Sequence, residues 1–249
     1  MLPTTLELLK KGWNLYRANT LLFLKYTAMV AIPVIVTSIC RYFFERSYTQ
    51  SGKSPSVAII IAAALIIFVL YLITLWGSIT LVRIIYSRYM NAPVDSFTKE
   101  LSFSISLVLS TLWVIILTTL SVFGGLVLFI IPDLIFSIWF FFSVYVRILD
   151  NQKGSAALSW SKQLVQQNWW EVLWLIISTT LIVIGGTMVV QSLLRFVLTL
   201  TEQYTQSFAL VLILLLLSLA INVLVTPLSA AIPTILYAEL KKRKLASKT

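Results

Sequence analysis

The sequence contains no histidine and a single cysteine, Cys40. The usual zinc, copper and iron ligand sets therefore cannot be assembled, nor can a histidine-based catalytic dyad or an internal disulfide. Cys40 lies near the end of an apolar run, which predicts an inert packed thiol. Charge is scarce as well: 11% of the residues are charged, against roughly a quarter in soluble domains. Of the 9 acidic residues, Asp133 is the one that falls within an apolar region, and a lone acid makes no acid/base pair. Neither an enzyme activity nor a cofactor or metal is expected.

What is present is apolar. With 59% hydrophobic residues and a mean hydropathy of +0.95, a chain of 249 residues needs lipid as its solvent. The net charge of +10 comes from basic residues scattered between apolar blocks. They build no basic face for nucleic acid, so anionic lipid head groups are the expected counter-charge. No cleavable leader is read ahead of the first span, because Pro3 to Arg17 is amphipathic rather than apolar.

About 20 apolar residues cross about 30 Å of hydrocarbon. Six stretches meet that length: Leu21 to Phe44, Val57 to Val82, Ile105 to Phe123, Pro132 to Leu149, Trp170 to Leu194 and Phe208 to Thr226. The fold class expected is all-α, a polytopic helical membrane protein forming one integral membrane domain over 1–249. Between the third and fourth spans only Gly124, Gly125, Pro132 and Asp133 offer a turn, so a tight or partly re-entrant hairpin is expected there.

Arg41, Arg46, Lys53 and Arg195 fall on one side of this six-span scheme and the remaining 15 of the 19 basic residues (19 less 4) on the other. The positive-inside rule makes the richer side, with both chain ends, cytoplasmic. Trp13, Tyr16, Tyr86, Tyr89, Tyr145, Trp169, Trp170 and Tyr237 gather at the same interface, as aromatic anchors do.

Two amphipathic helices are expected on that side. In Thr4 to Arg17, Leu6, Leu9, Trp13 and Tyr16 recur at helical spacing opposite Glu7, Lys10, Lys11, Asn14 and Arg17. Thr4 and Glu7 match a capping box. Ser155 to Gln167 repeats the pattern and leads into the fifth span. Both read as lipid-surface anchors, with Lys10, Lys11 and Arg17 on head groups; docking of a partner is the alternative. The run Lys241, Lys242, Arg243, Lys244 is expected to meet anionic lipid from a basic tail over 239–249, each residue worth about 1 kcal/mol near the surface.

An internal duplication aligns Leu112 to Gly125 (LWVIILTTLSVFGG) with Leu173 to Gly186 (LWLIISTTLIVIGG), Trp on Trp, Thr pair on Thr pair and Gly pair on Gly pair. Each unit would cross the membrane twice, which predicts parallel helix-hairpin repeats about an axis along the membrane normal. Thr118, Thr119, Gly124, Gly125, Thr179, Thr180, Gly185 and Gly186 are small enough to let helices pack closely; the alternative is that they line a cavity.

Asp133 follows Pro132 where a fourth span would begin, a place where a carboxylate favours the helix dipole. That structural reading is preferred to an ion or substrate contact. Asn222, inside the sixth span, reads as packing glue through one interhelical hydrogen bond. Lys25, Arg83 and Arg147 read as snorkelling anchors. Pro33, Pro227 and Pro233 are expected to bend or interrupt their helices, with the chain leaving the bilayer after Pro227 and Tyr237 at the interface.

Ile131 and Pro132, Tyr145 to Asp150, Ala156 to Leu158 with Ser161, and Asn168 with Trp169 together resemble a family of uncharacterised bacterial membrane proteins. That family includes the membrane domain attached to some glycerophosphoryl diester phosphodiesterases. The resemblance implies a bacterial inner-membrane module without the catalytic barrel, and Asp133 stands where that family has glycine. The function expected is a non-catalytic membrane module that contacts lipid or organises a membrane-protein partner or a second copy of the chain. A small-solute permease or channel is the alternative, and it predicts several polar side chains converging within the membrane.

Overall fold

The computed structural model describes residues 2–51, 55–128, 130–204 and 208–246. Lys53 and Lys248 fall outside these residues, as do the side chains of Arg41 and Arg46. The helices are α1 (Thr5–Ala18), α2 (Thr20–Ser51), α3 (Val57–Tyr89), α4 (Phe97–Leu128), α5 (Ile130–Phe140), α6 (Ser143–Asp150), α7 (Gly154–Val165), α8 (Trp169–Thr180), α9 (Gly186–Tyr204) and α10 (Phe208–Ala246). A 3-10 turn (Gln166–Asn168) joins α7 to α8 and a π turn (Leu181–Gly185) joins α8 to α9. Six stretches are long and apolar enough to span a bilayer. The chain is an all-α polytopic membrane protein.

Its core is one-sided. The buried residues concentrate where the basic side chains lie, from Leu8 and Phe23 through Ile84, Phe142 and Leu164 to Leu236 and Leu240. Toward the opposite, far end the helices expose apolar side chains, and the most apolar window of α3 has 0% of its residues buried. In lipid this costs nothing, because acyl chains are as apolar as leucine and give no hydrophobic reason to bury it. Cys40 follows the same rule: it is exposed on α2, not packed as expected.

The N-terminal helix starts as its sequence dictates. Thr4 Oγ1 accepts from the Glu7 N–H at 3.3 Å and the Glu7 carboxylate accepts from the Thr4 N–H at 2.9 Å. The apolar face then docks on protein. Leu8 and Tyr16 are buried, and a Cβ at Gly12 would come 3.3 Å from Ile232 on α10. The helix is therefore part of the bundle and not merely a surface anchor, since Ile232 and Leu228 offer its small face a close fit. In the same way α7 buries Ala157, Leu158, Ser161, Leu164 and Val165.

The fourth crossing is broken between α5 and α6. Ser161 of α7 repairs the break: its hydroxyl accepts from the Phe142 N–H at 3.2 Å and donates to the Trp139 carbonyl at 2.7 Å. Backbone groups freed at membrane depth need such partners. At the other end of this crossing α5 folds back on α4, where Gly125 is buried and a Cβ would lie 2.9 Å from Phe136 and 3.0 Å from the Asp133 backbone.

Neither Pro227 nor Pro233 interrupts its helix; both lie inside α10. α10 has 39 residues, roughly 58 Å at 1.5 Å per residue, nearly twice the hydrocarbon thickness. Hydroxyls of Thr226, Ser229 and Thr234 donate to carbonyls of their own helix around the prolines. The stretch after Pro227 is core: Ala231, Ile235, Leu236 and Tyr237 are buried against neighbouring helices. Pro33 likewise lies inside α2.

The two similar segments, Leu112 to Gly125 and Leu173 to Gly186, share faces and then diverge. Trp113 and Trp174 are both exposed, Val114 and Leu175 both buried, and Thr119 and Thr180 both exposed. Beyond the Thr pair, α4 continues unbroken whereas the second segment enters the π turn, whose extra residue rotates the following helix. Gly125 accordingly packs on α5, while a methyl at Gly186 would find no atom within 4 Å and one at Gly185 only Leu181. A methyl at Gly124 would also meet nothing within 4 Å, which corrects the packing role expected for it, and Thr119 and Thr180 are exposed.

Candidate functional site

Two polar constellations result from this fold. The first lies at the basic end, where α10 meets α1, α3, α6 and α8. Asp150, at the end of α6, accepts from the Tyr237 hydroxyl at 2.7 Å and from the Lys241 ammonium. Glu239 accepts from Lys11 at 2.8 Å and from the Tyr89 hydroxyl. Tyr237 is fully buried, its ring 5.9 Å from Phe142 and 6.1 Å from Tyr145. Lys242 lies over the Tyr89 ring and Arg243 reaches Glu171 at 3.2 Å.

Several expected anchors are thus structural. Tyr237 is buried in protein and does not anchor in the lipid interface, and Lys11, Lys241 and Arg243 hold protein carboxylates. Lys10 and Arg17 are exposed, and Lys244 lines a small polar cavity with Gln167, Asn168 and Arg243. Arg147 is 3% exposed and donates to Ser110 at 2.8 Å and to the Asn151 side chain at 2.6 Å, so it ties α6 to α4 and does not snorkel. Arg83 pairs with Glu100 across α3 and α4 at 3.2 Å.

The second constellation is a groove between α8, the π turn and α9 on one side and α10 on the other. Its inner part is a cavity of about 190 Å³ lined by Phe141, Thr179, Thr180, Val183, Ser229 and Leu236, among others. It shares Val183, Ile184 and Ser229 with an outer part of about 400 Å³ that Thr187, Gln191, Arg195, Asn222 and Thr226 also line. The π turn leaves this space, because the wider turn carries α9 away from the line of α8. Thr179 and Thr180 line the cavity, the alternative role that their sequence allowed.

The groove is mostly hydrocarbon, and the hydroxyls of Thr179, Thr187, Thr226 and Ser229 are spent inside their helices. Thr187 donates to the Val183 carbonyl at 2.6 Å, Thr226 to Asn222 at 2.8 Å and Ser229 to Thr226 at 2.8 Å. Asn222 makes the same kind of bond, to the Ser218 carbonyl of its own helix at 2.9 Å, and not the interhelical bond expected of it. Gln191 and Ser218 supply that instead. The Gln191 amide donates to the Ser218 carbonyl at 3.1 Å and its oxygen accepts from the Ser218 hydroxyl at 2.6 Å, clasping α9 to α10.

No family model, curated protein or solved structure matches the chain. The site must be read from its own chemistry. Among the described residues no three potential metal ligands gather. Asp133 stands in the first turn of α5, half-buried, and is not among the groove's lining residues. Sequence reasoning did not single out Gln191, Ser218 or Ser229, and used Ser161 only in the family resemblance. A carboxamide and two hydroxyls inside apolar blocks were the only signal, and the helix faces alone show which of them converge.

Proposed function

We propose that the chain is a non-catalytic membrane module that holds a membrane lipid in the groove between α8, α9 and α10. The observation that carries this is the lining: apolar walls with internally satisfied hydroxyls, open sideways along the bundle. Such walls give few groups to replace the water shell of an ion, and they match an acyl chain. The absence of histidine supports the non-catalytic part of the reading. Placement in a bacterial inner membrane with the basic end cytoplasmic rests on the charge asymmetry and the family resemblance. The shared faces of the duplicated segments support the parallel-repeat organisation.

The test is native mass spectrometry of protein purified in mild detergent. Wild type is expected to retain phospholipid, and Ser229→Phe, which fills the groove where its two parts join, is expected to lose it with helix content unchanged. Equal retention by both proteins sinks the reading. The convergence of Gln191, Arg195, Ser218 and Asn222 favours a permease as the second reading; solute flux into liposomes that Gln191→Leu abolishes would establish it.

A further inference from the structure

We propose that the lipid in this groove carries a phosphate, seated on the Arg195 guanidinium at the far mouth with Asn222 beside it. The inference rests on the groove being a lipid site and adds the chemistry of the head group.

Three observations lead to it. The first is depth. Arg195 lies 25 positions beyond Trp170 in the chain, roughly 37 Å at 1.5 Å per residue, and a hydrocarbon core is about 30 Å thick. With Trp170 at one interface, Arg195 reaches the head-group level of the other, and Asn222 lines the same outer part of the groove from within the bilayer. The groove beneath them, through Val183 and Ser229 to Leu236, is apolar and deep enough for an acyl chain.

The second observation is charge. Arg195 lines the groove and is exposed, and no carboxylate pairs with it among the described residues. The ion pairs of the basic end, by contrast, use Asp150, Glu171 and Glu239. A guanidinium presents five donors in a fork that fits two phosphate oxygens at once. The third is preorganisation. The clasp of Gln191 and Ser218 sets the spacing of α9 and α10 immediately beside Arg195. Asn222 spends one amide hydrogen on Ser218, which leaves its second for an acceptor at the mouth.

A free phosphate ion shares this chemistry but has no use for the apolar groove, so the commitment is to a lipid phosphate. The full-length protein in detergent is titrated with phosphatidic acid, with diacylglycerol of the same chains and with inorganic phosphate, and followed by native mass spectrometry. Phosphatidic acid is expected to bind about tenfold tighter than diacylglycerol, a difference of about 1.4 kcal/mol. Arg195→Gln removes that preference, Arg195→Lys keeps part of it, and Arg243→Gln at the opposite end leaves it intact. Inorganic phosphate does not displace the lipid. Circular dichroism of each variant confirms an unchanged helix content; should Arg195→Gln not fold, Asn222→Leu replaces it and is expected to reduce the preference. Equal binding of phosphatidic acid and diacylglycerol, or a preference that survives Arg195→Gln, overturns the phosphate assignment while leaving the lipid groove standing. Displacement by inorganic phosphate assigns the site to the ion and overturns the lipid source. Failure of every lipid to bind overturns the groove reading itself.

Discussion

The hydroxyl of Ser161 bridges a broken helix by accepting from the Phe142 N–H at 3.2 Å and donating to the Trp139 carbonyl at 2.7 Å. Both Ser161 and Phe142 are fully buried. Ser161→Ala takes the partner from a buried donor and a partly buried acceptor, so it is expected to cost about 1–3 kcal/mol. Ser159→Ala, on the exposed side of the same helix, is expected to stay within about 0.5 kcal/mol. Thermal unfolding in detergent measures both; equal midpoints would deny Ser161 its role.

Neighbouring glycines at the α4–α5 hairpin are expected to behave oppositely. A methyl at Gly125 meets Phe136 and the Asp133 backbone, whereas one at Gly124 has open space. Gly125→Ala is therefore expected to destabilise by about 1–3 kcal/mol through overpacking. Gly124→Ala gains helix propensity, up to about 1 kcal/mol. Parallel chemical denaturation of the two variants in mixed micelles decides it, and a Gly125→Ala variant as stable as wild type would show that the hairpin is looser than described.

Asp150 and Glu171 each pair with a cation of α10, but their side chains are 10% and 51% exposed. Asp150→Asn disrupts bonds to both buried Tyr237 and Lys241 and is expected to cost about 1–3 kcal/mol. Glu171→Gln removes a solvent-screened pair and is expected to change stability by less than about 1 kcal/mol. If the two substitutions shift the melting temperature equally, the Tyr237 cluster is not what fastens α10.

Asp133 lies in the first turn of α5, near the positive end of its dipole. Asp133→Asn is expected to keep stability nearly intact, because it loses only the interaction of a charge with the helix dipole, about 0.3–1 kcal/mol. Asp133→Leu is expected to weaken folding by no more than about 1 kcal/mol. A transport assay in which Asp133→Asn abolished flux with the fold unchanged would replace this account with the permease.

Reporter fusions after Lys153 and after Lys244 are expected to read cytoplasmic, and one placed between Ser47 and Ser54 external. Opposite signals at Lys153 and Lys244 are incompatible with six crossings.

The crossings, the capping box of Thr4 and Glu7 and the amphipathic faces of α1 and α7 were legible in the sequence, because each depends on residues within a turn or two of one another. Hydropathy over 20 residues reports the solvent of a helix, and a capping box is closed by backbone three positions away. The fate of single polar residues was not legible. Tyr237 and Arg147 looked like interfacial anchors because they stand near the ends of apolar stretches, and Lys241 because it opens a basic run, yet Asp150, Ser110 and Asn151 lie across helix contacts that no local pattern encodes. The same limit applied to the Thr and Gly pairs. Matching letters in the two segments pack differently: Gly125 meets α5, while Gly186, beyond the π turn, meets nothing within 4 Å. The apolar blocks determined which surfaces face lipid. Only the tertiary structure decided which polar atoms meet, because in a membrane the helices are brought together by short-range fit and hydrogen bonds between residues far apart in the chain.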